Sequence, residues 1–163
     1  FPKIKLNVLG DLDILTEKVV QNLDLSNCIF HKKVSLKSLP YFYRGADVQL
    51  SLSIFDPCPN VVVEGLASGL PVIGPVESGS YELVGEINSN WCIKEDIKLE
   101  YLALQTANEI PSIPLGKYEE AFGLTFENLS QNKSSARERA IKSLDIKIVA
   151  RKYEAFIQRL TND

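Results

Sequence analysis

The chain has 163 residues, of which 45% are hydrophobic and 24% charged, and its formal net charge is −3. That length can bury a sizeable core in one domain, and the composition is that of an ordinary globular protein, which excludes disordered and fibrous classes. The slightly acidic balance offers no basic field for double-stranded nucleic acid, and no apolar run approaches the ~20 residues that span a bilayer.

In chain order, Lys3 to Leu9 alternates and then runs apolar into Gly10-Asp11, which predicts a strand entering a tight turn. Leu12, Leu15, Val19, Val20 and Leu23 fall near helical spacing, and a short strand is expected around Cys28-Ile29-Phe30. Ser35 could cap a helix reaching Arg44, with Pro40 favouring a start nearer Leu39 and Gly45 ending it. Asp47 to Ile54 alternates strictly at Val48, Leu50, Leu52 and Ile54 and reads as a strand. A helix over Val61 to Ser68 follows, closed by Gly69 at its C′ position, and then a strand over Leu70 to Val76.

Further on, Trp91 to Ile93 reads as a short strand and Ile97 to Ile110 as a helix stopped by Pro111. Pro111 to Gly116 reads as a loop and Lys117 to Leu129 as a helix. Ser130 to Ser135 (SQNKSS) has the composition of a flexible surface loop, and helices over Arg137 to Ser143 and Ile146 to Leu160 close the chain. Short apolar strands alternating with helices predict an α/β class, a Rossmann-like parallel sheet covered by helices on both faces, as a single domain over residues 1–163.

The segment Asp56 to Leu70, DPCPNVVVEGLASGL, carries the chemistry. Pro57 and Pro59 fix φ on either side of Cys58 and hold a rigid turn directly after a strand. With Pro59 at the first helical position, or Asn60 as N-cap, the first N–H groups of the helix point outward with the positive end of the dipole behind them. A diphosphate fits such a place, at the carboxyl end of a parallel strand. Glu64 lies one turn into that helix, where a carboxylate can accept from both hydroxyls of a ribose diol. Asp56, before the turn, is placed to accept from the hydroxyls of a second sugar. The loop Glu77-Ser78-Gly79-Ser80 adds small residues and free N–H groups near the same edge.

A carboxylate at a helix start is often only a dipole partner. Glu64, however, sits among Val61, Val62, Val63 and Leu66, where a charge needs a partner, and Gly65 inside a helix suggests close approach by something else. Competing chemistries lack their residues. Ala67 stands where a nucleophile elbow needs serine, and neither a P-loop nor a G-x-G-x-x-G fingerprint is present. His31, the one histidine, lies beside Lys32-Lys33 and reads as part of a solvated basic turn. Trp91, Tyr41, Phe42 and Tyr43 read as core. Cys28, Cys58 and Cys92 suit neither a disulfide framework nor a zinc site, and point to a reducing compartment. No signal peptide opens the chain, so the sequons at Asn128 and Asn132 read as chance. With Phe1 first and no methionine, an excised or processed piece is expected.

From about Leu6 to Val84 the sequence resembles the C-terminal, donor-binding domain of retaining GT-B glycosyltransferases of the group 1 (GT4-type) family. The resemblance runs through Leu6-Asn-Val-Leu-Gly10-Asp, Val34-Ser35, Leu39, Tyr43, Ala46-Asp47-Val48, Ser53, Pro59-Asn60, Glu64 to Val72 and Gly79 to Glu82. It implies sugar transfer from a nucleotide-sugar, UDP-linked on frequency, to a hydroxyl acceptor with retention, without a metal or other cofactor. Glu64 would bind the ribose and Asp56, standing where the family has glutamate, would contact the donor sugar as the catalytic residue. The backbone at residues 59 to 62 (Pro59, Asn60 and Val61 foremost) and at Ser78, Gly79 and Ser80 would hold the diphosphate, and Lys33 and Val34 would lie by the base. The arginine–lysine pair that usually neutralises the diphosphate has no counterpart in Phe1 to Lys5. The resemblance further implies that the N-terminal acceptor-binding domain lies outside these residues, so a catalytically incompetent part of a two-domain enzyme is expected. Family frequency implies bacterial polysaccharide or lipopolysaccharide synthesis and a cytoplasmic setting, with peripheral membrane association of the full-length enzyme left open. Two rivals remain: a non-catalytic nucleotide-sugar-binding module, and a nucleotide-sugar epimerase of the same fold.

Overall fold

The computed structural model describes residues 4–53, 56–93 and 114–161. The chain divides into two compact units, Phe1–Phe42 and Tyr43–Asp163. In the first, strand β1 (Leu6–Leu9) and strand β2 (Cys28–His31) pair in parallel, with Leu6 opposite Cys28 and Leu9 opposite His31. Helix α1 (Ile14–Val20) connects them; Asp13 Oδ1 accepts the Thr16 N–H at 3.0 Å, which satisfies one of the donors a helix start leaves open. His31 is the last residue of β2 rather than part of a solvated turn. Its Nε2 lies 3.0 Å from Asn7 Oδ1, and its ring meets Phe42 edge-on with centroids 4.9 Å apart. Helix α2 (Leu39–Gly45) begins in this unit, and its last three residues open the second.

The second unit is built on three parallel strands in the order β3-β4-β5. They are β3 (Gln49–Leu50), β4 (Val72–Pro75) and β5 (Cys92–Ile93). The register sets Gln49 against Val72 and Gly74 against Cys92. Between β3 and β4 runs helix α3 (Asn60–Ala67); between β4 and β5 come α4 (Gly79–Val84) and a 3₁₀ turn (Glu86–Trp91). Helices α5 (Leu115–Glu127) and α6 (Leu129–Arg139), a π-helical turn (Ala140–Leu144) and α7 (Ile146–Thr161) complete it. Every residue of β4 is buried, as expected of a middle strand in a parallel sheet. Val62 and Leu66 from α3, Val84 from α4, Trp91, and Ala136 from α6 close over it, all at 0% exposure.

Helix α3 ends where expected. Ser68 is its C-cap, and Gly69 follows with φ +81°, a conformation costly for any residue with a Cβ. The Leu70 N–H reaches back to Gly65 O at 2.9 Å and the Gly69 N–H to Leu66 O at 3.0 Å, a Schellman closure with the buried Leu70 behind it.

Elsewhere the elements differ from the sequence reading. Of the strand expected over Asp47 to Ile54, the described residues pair only at Gln49–Leu50, although the Ser51 N–H still reaches Ile73 O at 2.9 Å. SQNKSS is helix, not loop, because its polar side chains have partners in the fold. Asn132 Nδ2 donates to Thr125 O at 2.9 Å, Lys133 Nζ to Ala46 O at 3.1 Å and Ser135 Oγ to Asn88 Oδ1 at 2.6 Å. Asn132, the second sequon asparagine, is therefore buried. The helix expected from Lys117 runs from Leu115 to Glu127, and the one expected over Ile97 to Ile110 lies outside the described residues.

Gly65 is approached by the protein itself. A Cβ there would lie 1.7 Å from Gln49 Oε1, an oxygen buried without a hydrogen-bond partner among the described residues, while Gln49 Nε2 donates to Val61 O at 3.0 Å. Gly65→Ala should therefore destabilise the protein by about 1–2 kcal/mol through overpacking. In a Gln49→Ala background the same change should become neutral or stabilising by up to about 1 kcal/mol, the helix preference of alanine. Urea denaturation of the four-member cycle reads the difference; equal effects in both backgrounds would show that Gln49 does not set the constraint.

Candidate functional site

The site is built where the loops after β3 and β4 meet. Asp56 is half-buried, and its Oδ1 accepts the Cys58 N–H at 3.1 Å, so the side chain organises the turn it precedes. Pro57 and Pro59 stiffen that turn, and Pro59 occupies the N-cap of α3 with φ −66° and ψ 112°. Asn60 is thus the first helical residue rather than the cap, and the helix start has no side-chain cap. The intrahelical ladder opens with the Val62 N–H on Pro59 O at 3.0 Å. Of residues 59 to 62, proline has no N–H and Val62 uses its own, which leaves Asn60 and Val61, both exposed, as the donors at the positive end of α3.

The loop after β4 corrects the expectation of free N–H groups. The Ser78 N–H donates to Pro75 O at 3.3 Å and the Gly79 N–H to Asp56 O at 3.2 Å, while the Ser80 N–H donates to Ser78 Oγ at 3.2 Å. Ser78 is the N-cap of α4, its hydroxyl donating in turn to Pro75 O at 3.0 Å. Ser80, 1% exposed, has its hydroxyl 3.1 Å from that of Ser51. These residues shape the site by locking the two loops together. A Cβ on Gly79 would lie 2.1 Å from Pro57 O, so the loops touch backbone to backbone there.

Glu64 lies at the margin of the buried face of α3, which is formed by Val62, Gly65 and Leu66, and is itself half-buried. The partner that its surroundings demand is Tyr43, whose hydroxyl donates to Oε2 at 2.9 Å. Burial first, then the hydrogen bond to Glu64 and its charge, push the Tyr43 pKa well above the ordinary tyrosine range, so the hydroxyl stays protonated. Tyr43, expected in the core, is thus a donor at the site; the signal for it is Glu64 itself, a carboxylate in an apolar helix needing a donor. Neighbouring Tyr41, also read as core, is 71% exposed.

Asp56, Pro59, Asn60, Val61, Glu64, Ser78, Gly79 and Ser80 all belong to the second unit; Lys33, exposed, and Val34, half-buried, follow β2 in the first. Among the described residues no three His, Cys, Asp or Glu side chains form a group that could hold a metal. A cavity of about 620 Å³ lies at the other end of α3, beside Ser68 and Gly69. Its cations already serve the fold: Lys133 pairs with Asp47 at 2.8 Å, Lys142 with Glu138, and Arg137 donates to Ala67 O at the end of α3.

The profile of the family described as Glycosyl transferases group 1 matches residues 1–105. No curated protein sequence matches the chain. Among solved structures, a sucrose-phosphate synthase from Thermosynechococcus elongatus superposes with TM-score 0.69 at 18% identity, over 97% of this chain and 39% of that one. WaaG, a glycosyltransferase involved in lipopolysaccharide biosynthesis, gives 0.59 at 20% identity over 85% and 34%. The pneumococcal O-GlcNAc transferase GtfA, solved with UDP and GlcNAc, gives 0.58 at 16% over 99% and 30%. These likenesses establish the fold as that of GT-B glycosyltransferases, and the chain spans about two fifths or less of each neighbour's length.

The backbone contact at Gly79 can be tested directly. Gly79→Ala should destabilise the protein by about 1–3 kcal/mol, because neither loop can yield without breaking the hydrogen bond to Asp56 O. Gly123→Ala in α5, where a Cβ meets nothing within 4 Å, should be neutral or stabilising. Thermal melts of both variants are sufficient, and a wild-type midpoint for Gly79→Ala would rule out the close contact.

Proposed function

The chain belongs to the family of group 1 glycosyl transferases, and from that premise we propose that it carries the donor side of a retaining transferase that moves a sugar from a UDP-sugar to a hydroxyl acceptor. The observation that supports this most is the order of groups along one short stretch. A carboxylate (Asp56) precedes a helix start with donors at Asn60 and Val61, and a second carboxylate (Glu64) follows one turn later. In this reading the two N–H groups and the helix dipole bind the diphosphate, which departs with charge that such donors stabilise in the transition state. Glu64 accepts from the ribose hydroxyls, and Asp56 holds the transferred sugar near the reacting carbon. Ser78, Gly79 and Ser80 keep the Asp56 turn in place through the Gly79 hydrogen bond. The choice of UDP draws support from GtfA, whose structure holds UDP and GlcNAc. WaaG, involved in lipopolysaccharide biosynthesis, supports assembly of a bacterial polysaccharide or lipopolysaccharide as the setting.

One feature favours a second reading, a nucleotide-sugar-binding module without catalysis. Asp56 has one carboxylate oxygen committed to the Cys58 N–H, which restricts what it can offer a substrate. Calorimetric titration with UDP- and GDP-sugars, together with product analysis of sugar transfer, separates the two. Glu64→Ala should weaken binding of the UDP-sugar about thirtyfold, the effect of losing a hydrogen bond to a charged group worth about 2 kcal/mol. In the full-length enzyme, Asp56→Ala should lose transfer by at least about a hundredfold while retaining nucleotide binding, on the scale seen when a transition-state contact is removed. Unchanged binding in Glu64→Ala would reject the site; unchanged function in Asp56→Ala would favour the module.

A further inference from the structure

We propose that Tyr43 is a positioning residue for Glu64: it holds one carboxylate oxygen so that the carboxylate meets the vicinal diol of a nucleotide in one orientation. The inference rests on the reading of Glu64 as the ribose-binding residue. It begins from a hydrogen bond between side chains twenty-one positions apart, Tyr43 Oη to Glu64 Oε2 at 2.9 Å, between two half-buried groups. Both residues sit on helices, Tyr43 late in α2 and Glu64 midway along α3. A glutamate side chain has three soft torsions and loses considerable freedom when it is fixed. A tyrosine has two, so its ring delivers a donor to a defined point.

The arithmetic of lone pairs leaves the site open to a ligand. An ionised carboxylate accepts about four hydrogen bonds. Tyr43 takes one, on Oε2, and the remaining capacity, both sites of Oε1 and one of Oε2, suits two adjacent hydroxyls. Because burial and the hydrogen bond to Glu64 push the Tyr43 pKa up, its hydroxyl stays protonated and remains a donor. Preorganisation of this kind raises affinity by removing an ordering cost that binding would otherwise carry. Its effect should therefore be confined to ligands that use Glu64.

The test compares the protein with its Tyr43→Phe and Glu64→Ala variants. Phenylalanine keeps the ring and removes only the hydroxyl, so the packing survives. Each protein is titrated calorimetrically with uridine diphosphate and 2′,3′-dideoxyuridine diphosphate, with the guanosine pair run alongside. The wild type should prefer the diol form by about tenfold or more, and Glu64→Ala should erase the preference. Tyr43→Phe should cut that preference by about fivefold, with affinity for the dideoxy form held within about twofold. In a transfer assay of the full-length enzyme the variant should raise KM and leave kcat near the wild-type value. If Glu64→Ala erases the preference and Tyr43→Phe keeps it whole, the role given to Tyr43 is overturned while that of Glu64 stands. Equal losses for both nucleotides in Tyr43→Phe would also overturn it, marking a packing role. No preference in the wild type would remove the ribose reading of Glu64, and this inference with it.

Discussion

The second unit depends on one buried strand. β4 is the middle of three parallel strands and has no exposed residue, so its two edges and two faces must all be matched by protein. The match is tight at Gly74, where a Cβ would lie 2.6 Å from Ser51 O. β3 is thus pressed against β4 to the point where the loops that leave both strands emerge side by side. One loop is Asp56 to Pro59 and the other Val76 to Ser78, and the Gly79 N–H joins them through Asp56 O at 3.2 Å. The geometry of the candidate site follows from burial in the sheet, and the loops have little freedom to do otherwise.

Helix α3 translates that constraint into chemistry. Its apolar face, Val62 and Leu66, is fixed by the core, and its far end is closed by Gly69 and the buried Leu70. With both the rotation and the end of the helix set, Asn60 and Val61 have to open it toward the loops, and Glu64 has to fall at the edge of the buried face. There the carboxylate is sheltered enough to gain from Tyr43 and open enough to accept from a ligand. A glutamate one position along, at Gly65, would have faced Gln49 and the core instead.

The sequence made legible what depends on local periodicity and turn chemistry. The α/β class, the parallel pairing, the start of α3 within one residue and its glycine stop could all be read from spacing, proline and glycine. What escaped depends on partners distant in sequence. SQNKSS has the composition of a loop, yet Asn132, Lys133 and Ser135 each find a partner in Thr125, Ala46 or Asn88, and that tertiary support overrides weak helix propensity. By composition the loop at Ser78 to Ser80 is a source of free donors, yet its N–H groups are engaged. Sequence does not reveal that Asp56 O, Pro75 O and the Ser78 hydroxyl are waiting for them. Gly65 showed the converse: the demand for close approach was legible, but the approaching group is Gln49, not a ligand.

Asp56 and Glu64 are both carboxylates, yet the fold treats them differently. Asp56 is held twice, through its carbonyl to Gly79 of the neighbouring loop and through Oδ1 to Cys58 of its own turn, so its position is set by backbone, and Oδ2 has no hydrogen-bond partner among the described residues. Glu64 is held by a side chain alone, the Tyr43 hydroxyl on Oε2, so its carboxylate is oriented by a partner on another helix. A rigid carboxylate with one available oxygen suits a contact whose distance must not change, such as one near a reacting carbon. A carboxylate oriented at one oxygen, with most of its acceptor capacity left, suits a diol, whose two hydroxyls must be met together. The shorter side chain at position 56 fits this division, since the backbone hydrogen bond to Gly79 holds in place what a longer side chain would have to reach for.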